Sequence, residues 1–291
     1  MIYQNIKINE DAAVTAMILE PSVSFRVYRK RPAVIICPGG AYLIHATKEG
    51  EMCAQQFLAR GYHCFVLSYT IGTDREHPEK GFNERAKYPL QAVELLETIH
   101  LIHAHAEEWY IDDGNIFLMG FSAGGHVCAT AATRWNDPAL LHQLSFVPQG
   151  NELKVSGMVL GYPMLADNSA DYLGKEFRGI PAEQLALTNR VLYGKESVTE
   201  EEKEAVNLVR RVNEDTIPAF IWHSIDDPVV DSRNSTAFIQ ALCHYGIPCE
   251  YHLYGRGGHG LGLADRSDNG LNKWPELADV WMKQRMKGEQ E

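Results

Sequence analysis

Apolar residues along this chain fall into short runs separated by segments of helical spacing. Ala33–Cys37 is an unbroken run closed by Pro38-Gly39-Gly40, and Tyr62–Ser68, Asn115–Met119, Val155–Leu160, Pro218–His223 and Cys249–Tyr254 have the same strand-like character. Short runs bounded by Gly and Pro suit strands buried on both faces of a parallel sheet. Between them lie helix candidates. Glu49–Arg60 ends at Gly61, in C-cap position. Pro89–Trp109 places Leu90, Val93, Leu96, Ile99 and Ile102 at helical intervals, and Ala123–Arg134, Arg233–Tyr245 and Pro275–Met286 complete the set. At the start, Val14–Leu19 and Ser24–Arg29 flank Glu20-Pro21-Ser22 and predict a hairpin. Asp112-Asp113-Gly114 predicts a turn. Strands alternating with helices imply βαβ units with right-handed crossovers around a mostly parallel sheet.

One stretch breaks this rhythm. Asp167–Arg211 holds no strand pattern and includes the acidic segment Glu196–Ala205 (ESVTEEEKEA). It predicts a helical insertion, at about 167–211, within a single domain spanning 1–291. Its charges read most simply as a solvated helix face. A lid over a site is the sharper reading, since insertions after sheet strands often cover α/β sites.

Composition narrows the function classes. Of 291 residues, 45% are hydrophobic and 22% charged, which suits a folded domain with a large core. The 27 basic and 38 acidic residues leave a net charge of −11, which argues against nucleic acid or an anionic membrane as partner. No apolar run approaches a membrane span, and the opening MIYQNIKINEDA lacks a signal-peptide pattern, so the expected location is the cytoplasm. The six cysteines include no CxxC pair and read as small buried hydrophobes in a reducing compartment.

Candidate chemistry centres on Gly120-Phe121-Ser122-Ala123-Gly124, a G-x-S-x-G pentapeptide set between a strand and a helix. That context is the one a nucleophile elbow requires. Gly120 and Gly124 would let the turn close without Cβ clashes, leaving the Ser122 hydroxyl above the sheet. A serine needs a base, and His259 lies in a glycine-rich loop, Gly255–Gly260, directly after the last strand. The base needs an orienting carboxylate. Asp226 and Asp227 both follow the strand at Pro218–His223, and position alone does not separate them. Either gives the chain order Ser, Asp, His. Cys37-Pro38-Gly39-Gly40-Ala41-Tyr42 offers an oxyanion hole, with backbone N–H groups expected from Gly40 and Ala41 and a third from Ala123.

Two patterns are decoys. Gly255, Gly257 and Gly260 spell G-x-G-x-x-G, but a loop rather than a helix follows. His100, His103 and His105 lack partners at ligand spacing and read as exposed helix histidines, not a metal site.

With these pieces in place, the chain resembles the α/β-hydrolase superfamily over essentially its whole length. It looks most like the bacterial esterase/lipase branch that includes acetylxylan and other carbohydrate esterases. The matching segments are PGGAY, YPLQAVE, IDDGNIFLMGFSAGGHVCA, RVNEDTIPAFIWHSIDDPVV and GGHGLGLA. The resemblance implies an α/β-hydrolase fold with helices on both sheet faces, and it selects Asp227 as the acid. It also implies a serine esterase acting on short-chain, acetyl-type esters, a small-molecule substrate and no metal or organic cofactor. Pro38 departs from the histidine that leads the HGGG motif of related lipases, and Asp231 from a common proline. A prolyl-oligopeptidase-type peptidase would use the same triad, but it usually carries a further N-terminal domain. A non-catalytic hydrolase-fold binding protein usually lacks a triad member.

Overall fold

The computed structural model describes residues 1–21, 30–73, 79, 81–166 and 179–286. Eight strands form one sheet: β1 (Ile2–Lys7), β2 (Ala13–Ile18), β3 (Arg31–Cys37), β4 (His63–Ser68), β5 (Ile111–Phe121), β6 (Gly157–Gly161), β7 (Ala219–Ser224) and β8 (Cys249–Tyr254). Their order is β1-β2-β4-β3-β5-β6-β7-β8. β2 runs antiparallel to β1 and β4, and every pairing from β4 to β8 is parallel. This is the doubly wound sheet expected of an α/β-hydrolase.

Alternation along the strands explains the two cores. Ala33, Ile35 and Cys37 face one side with Phe65, Leu67, Ile116 and Leu118. Helices α2 (Leu90–Ala104), α3 (Ala123–Arg134) and α7 (Arg233–His244) cover that side, as buried Leu95, Val127 and Phe238 show. Val34, Ile36, Cys64, Phe117 and Met119 face the other side, covered by α1 (Glu51–Leu58) and α8 (Trp274–Arg285) through Phe57, Trp274 and Trp281. Pairing β3 with both β4 and β5 creates the topological switch point, and ligands of such sheets sit beyond the carboxyl ends of the strands there.

Several sequence expectations change. β1 carries no strong apolar run, and the hydrophobic pattern does not predict it. It is an edge strand whose Ile2 and Ile6 are only partly buried. The Asp112–Gly114 turn is absorbed into β5, where the register against β3 shifts between Arg31 and Ala33. The second arm of the predicted hairpin, Ser24–Arg29, lies outside the described residues. So do residues 167–178 of the insertion. Its remainder contributes α5 (Ala182–Tyr193), α6 (Glu200–Lys203) and two short 3-10 turns. α6 opens with a reciprocal Thr199–Glu202 capping box, and its acidic residues are mostly solvated. A four-residue helix, α4 (Pro138–Leu141), precedes these.

The cysteine expectation holds for Cys37, Cys53, Cys64 and Cys128, which are buried, but Cys243 is exposed and Cys249 half-buried. The three helix histidines are not simply exposed. His100 stacks on Phe146, His105 stacks on Trp109, and His103 Nε2 lies 2.8 Å from the Glu152 carbonyl oxygen.

Candidate active site

The residues singled out from sequence emerge at the carboxyl ends of four strands. Gly40 and Ala41 follow β3, Ser122 follows β5, Asp227 follows β7 and His259 follows β8.

Ser122 takes φ 51° and ψ −119°, a strained conformation for a residue with a Cβ. The strand-to-helix turn enforces it, because β5 ends one residue before and α3 begins one residue after. The elbow glycines are needed for close approach. A Cβ on Gly120 would lie 2.4 Å from the Gly124 carbonyl oxygen. At Gly124 the obstacle is not Gly120 but the turn after β3, since a Cβ there would meet the Cys37 carbonyl oxygen at 2.0 Å. The elbow and the turn after β3 are therefore packed backbone to backbone.

Ser122 Oγ lies 2.9 Å from His259 Nε2, and His259 Nδ1 lies 2.7 Å from Asp227 Oδ2. A carboxylate partner fixes the proton on Nδ1, which leaves Nε2 to accept from the serine hydroxyl. Asp227 is 4% exposed, and every lone pair used is specified. Its Oδ1 accepts from the backbone N–H groups of Val229 and Val230 at 2.8 and 3.0 Å. Its Oδ2 faces His259 and also His223 Nε2 at 3.1 Å. Burial alone would raise the Asp227 pKa, but hydrogen bonds from His223 and His259 reverse that and hold it at about 2.

His223 was not singled out from sequence. Its Nε2 faces two acceptors, Asp227 Oδ2 and the Val230 carbonyl oxygen, so Nε2 carries the proton, and Nδ1 accepts from Ser235 Oγ at 2.8 Å. Asp226, in contrast, is exposed and accepts from the N–H groups of Gly257 and Gly258 at 2.8 and 2.9 Å. It staples the histidine loop rather than touching the imidazole.

The turn after β3 is shaped by three successive positive φ values: 131° at Gly40, 55° at Ala41 and 63° at Tyr42. Strain of this kind persists only when the surroundings over-determine it. Thr188 Oγ1 of α5 donates to the Ala41 carbonyl oxygen at 3.0 Å. Tyr42 donates its hydroxyl proton to His126 Nδ1 at 2.7 Å, while His126 Nε2 donates to the Val206 carbonyl oxygen at 3.0 Å. Burial lowers the His126 pKa to about 4, so the ring is neutral as this pairing requires. The insertion thus grips the turn through Thr188 and Val206. Among the described residues, the N–H groups of Gly40, Ala41 and Ala123 have no protein acceptor, and Ala123 opens α3, where a helix leaves its first donors free.

No group of His, Cys, Asp and Glu among the described residues is arranged to hold a metal ion, and no helix there is long and apolar enough to cross a membrane.

The chain has relatives among known proteins. The chain is 31% identical over 238 residues to endo-1,4-beta-xylanase B of Butyrivibrio fibrisolvens, covering 81% of this chain and 33% of that protein. It is 25% identical over 243 residues to an acetylxylan esterase of Xylanibacter ruminicola, covering 79% of this chain and 41% of that protein. The chain thus spans a third to two fifths of the length of these relatives. Among solved structures, the carboxylesterase Cest-2923 of Lactobacillus plantarum superposes with a TM-score of 0.79 at 27% identity, covering 99% of this chain and all of the other. Residues 25–242, three quarters of the chain, match the family model described as BD-FAE. The chain belongs to the BD-FAE family, a family of esterases with the α/β-hydrolase fold.

Proposed function

We propose that this protein is a serine hydrolase that cleaves short-chain carboxylic esters, acetyl esters foremost and those of sugars among them. The observation that carries this reading is the continuous relay from Ser122 Oγ to His259 at 2.9 Å and on to Asp227 at 2.7 Å, at the mouth of a strained elbow. His259 Nε2 takes the hydroxyl proton as Ser122 Oγ attacks the ester carbonyl carbon. The imidazolium is stabilised by Asp227, which stays ionised. The carbonyl oxygen, now an oxyanion, accepts from the N–H groups of Gly40, Ala41 and Ala123, assisted by the positive end of α3. Collapse expels the alcohol, which takes the proton from His259. Water, deprotonated by the same imidazole, then attacks the acyl-enzyme and releases the acid and Ser122.

Acetyl preference is supported by the company the chain keeps: an acetylxylan esterase and a carboxylesterase are among its relatives. The test is a panel of p-nitrophenyl esters from acetate to octanoate, alongside an acetylated xylose. The expected outcome is the highest kcat/KM at acetate and release of acetate from the sugar. A kcat/KM that climbs steadily to octanoate overturns the acyl assignment.

A further inference from the structure

Behind the serine, a second buried carboxylate joins the pieces of the site that no covalent chain joins. Glu49 is 2% exposed and ends a 3-10 turn, Thr47–Glu49, just before α1. Its Oε2 accepts from the Gly39 N–H at 2.8 Å, and its Oε1 accepts from the Tyr162 hydroxyl at 2.7 Å. Tyr162 follows β6 with φ 38°, a backbone position unfavourable for a bulky residue. Its hydroxyl oxygen in turn accepts from the Gly262 N–H at 2.8 Å. The Tyr162 ring lies against the His259 ring, with centroids 4.7 Å apart. The chain of donors runs Gly262 N–H to Tyr162 O–H to Glu49, met from the other side by Gly39 N–H. The Gly39 N–H and the Tyr162 hydroxyl each donate to one carboxyl oxygen, so both oxygens act as acceptors. Gly39 can approach only because it lacks a side chain: a Cβ there would lie 2.7 Å from Glu49 Oε2 and 2.9 Å from Ser122 Cβ.

We propose that Glu49 is a positioning residue for ester cleavage: as a carboxylate it ties the oxyanion turn to the His259 loop and shares with Asp227 the stabilisation of the His259 imidazolium. This rests on the serine-hydrolase reading above. The ionisable groups around His259 are Asp227, itself faced by His223, together with Glu49 and Tyr162. Around Glu49 they are Tyr162, His259, the exposed Lys48, and the buried Cys53 and Tyr69. Burial raises the pKa of Cys53 and of both tyrosines, so these stay neutral, and Glu49 is the carboxylate on the β3 side that interacts electrostatically with His259.

Glu49→Gln removes the charge and turns one acceptor into a donor against Gly39 or Tyr162. Tyr162→Phe keeps the charge and cuts the link to Gly262. Steady-state hydrolysis of p-nitrophenyl acetate is measured from pH 5 to 9 for wild type and both variants. Glu49→Gln should lower kcat about tenfold with KM changed less than about twofold. It should also move the acid limb of kcat/KM down by roughly half a pH unit or more, since the imidazolium loses a neighbouring negative charge. Tyr162→Phe should lower kcat several-fold and leave the acid limb in place. An active wild type with a Glu49→Gln variant of unchanged kcat and acid limb overturns the assignment. A lower kcat with an unmoved acid limb would make Glu49 a structural strut, which contradicts it too. If Glu49→Gln does not fold, Tyr162→Phe decides, and wild-type kcat in that variant overturns the tie. An inactive wild type would instead refute the serine-hydrolase reading on which the assignment rests.

Discussion

The loop after β7 and the connection from β3 to α1 each bury a carboxylate within electrostatic reach of His259, and the two carboxylates are driven in opposite directions. Asp227 is surrounded by donors, two backbone N–H groups and two imidazoles, and its pKa falls to about 2. Glu49 has one N–H and one hydroxyl, and burial wins, so its pKa rises. Both groups are buried; the donors around Asp227 outweigh that burial, and those around Glu49 do not. In the loop after β7, Pro228 biases the backbone of Asp227 away from the helical region. The turn after β3 is strained and depends on neighbours from distant segments: Thr188 and Val206 of the insertion, and Tyr162.

Removing the charge from the stronger site should give the largest effect. Asp227→Asn leaves the shape intact but presents an amide where His259 Nδ1–H needs an acceptor. The wrong imidazole tautomer follows, and kcat should fall by about 10³–10⁴ on p-nitrophenyl acetate. A loss under about tenfold would break the contrast, because Asp227 would then be no more than a buried anchor.

The turn after β3 is tested by acid. His126 is held neutral in the fold with its pKa lowered to about 4 by burial, against 6.5 in the unfolded chain. The unfolded state therefore takes up the proton first. Stability from this group is full above about pH 6.5, is lost as pH falls from there to about 4, and levels off below. His45 and His63 are lowered to about 4 by burial as well and act in the same window. Urea midpoints measured from pH 7 to 4 should fall steeply in this window, with about 1.4 kcal/mol or more from His126 alone. A flat profile would mean that the Tyr42–His126–Val206 link is not what holds the turn.

The smallest effect sharpens the comparison within one loop. Asp226→Asn retains an oxygen that can accept from Gly257 and Gly258, so kcat/KM should drop less than about tenfold, or 1.4 kcal/mol. If Asp226→Asn is crippled while Asp227→Asn is not, the acid has been placed on the wrong neighbour.

What could be read from the chain alone follows from how local each signal is. Ser122 and its glycines lie within five consecutive residues, in a strand–turn–helix setting that hydrophobic pattern exposes. His259 and the Asp226–Asp227 pair sit just past strand ends, and most predicted strands and helices fall within two residues of the observed ones. Glu49 was hidden because it reads as the first residue of a helix, and its partner Tyr162 is 113 positions away. His223 was hidden at the end of an apolar strand, where a polar residue reads as a boundary, although its spacing of four from Asp227 was available. Thr188 lies in the insertion, 147 positions from the carbonyl it holds. Contacts of that range are fixed by sheet order and loop packing, neither of which leaves a local pattern.

The most direct measurement is covalent. The protein is incubated with a fluorophosphonate, digested, and mapped by mass spectrometry, with hydrolysis of p-nitrophenyl acetate followed in parallel. The expected result is a single adduct on Ser122, loss of activity in step with labelling, and a Ser122→Ala variant that folds normally, takes no label and has lost several orders of magnitude in kcat. A Ser122→Ala variant with near wild-type kcat, or a wild type that hydrolyses the ester while its label maps to another residue, would contradict it.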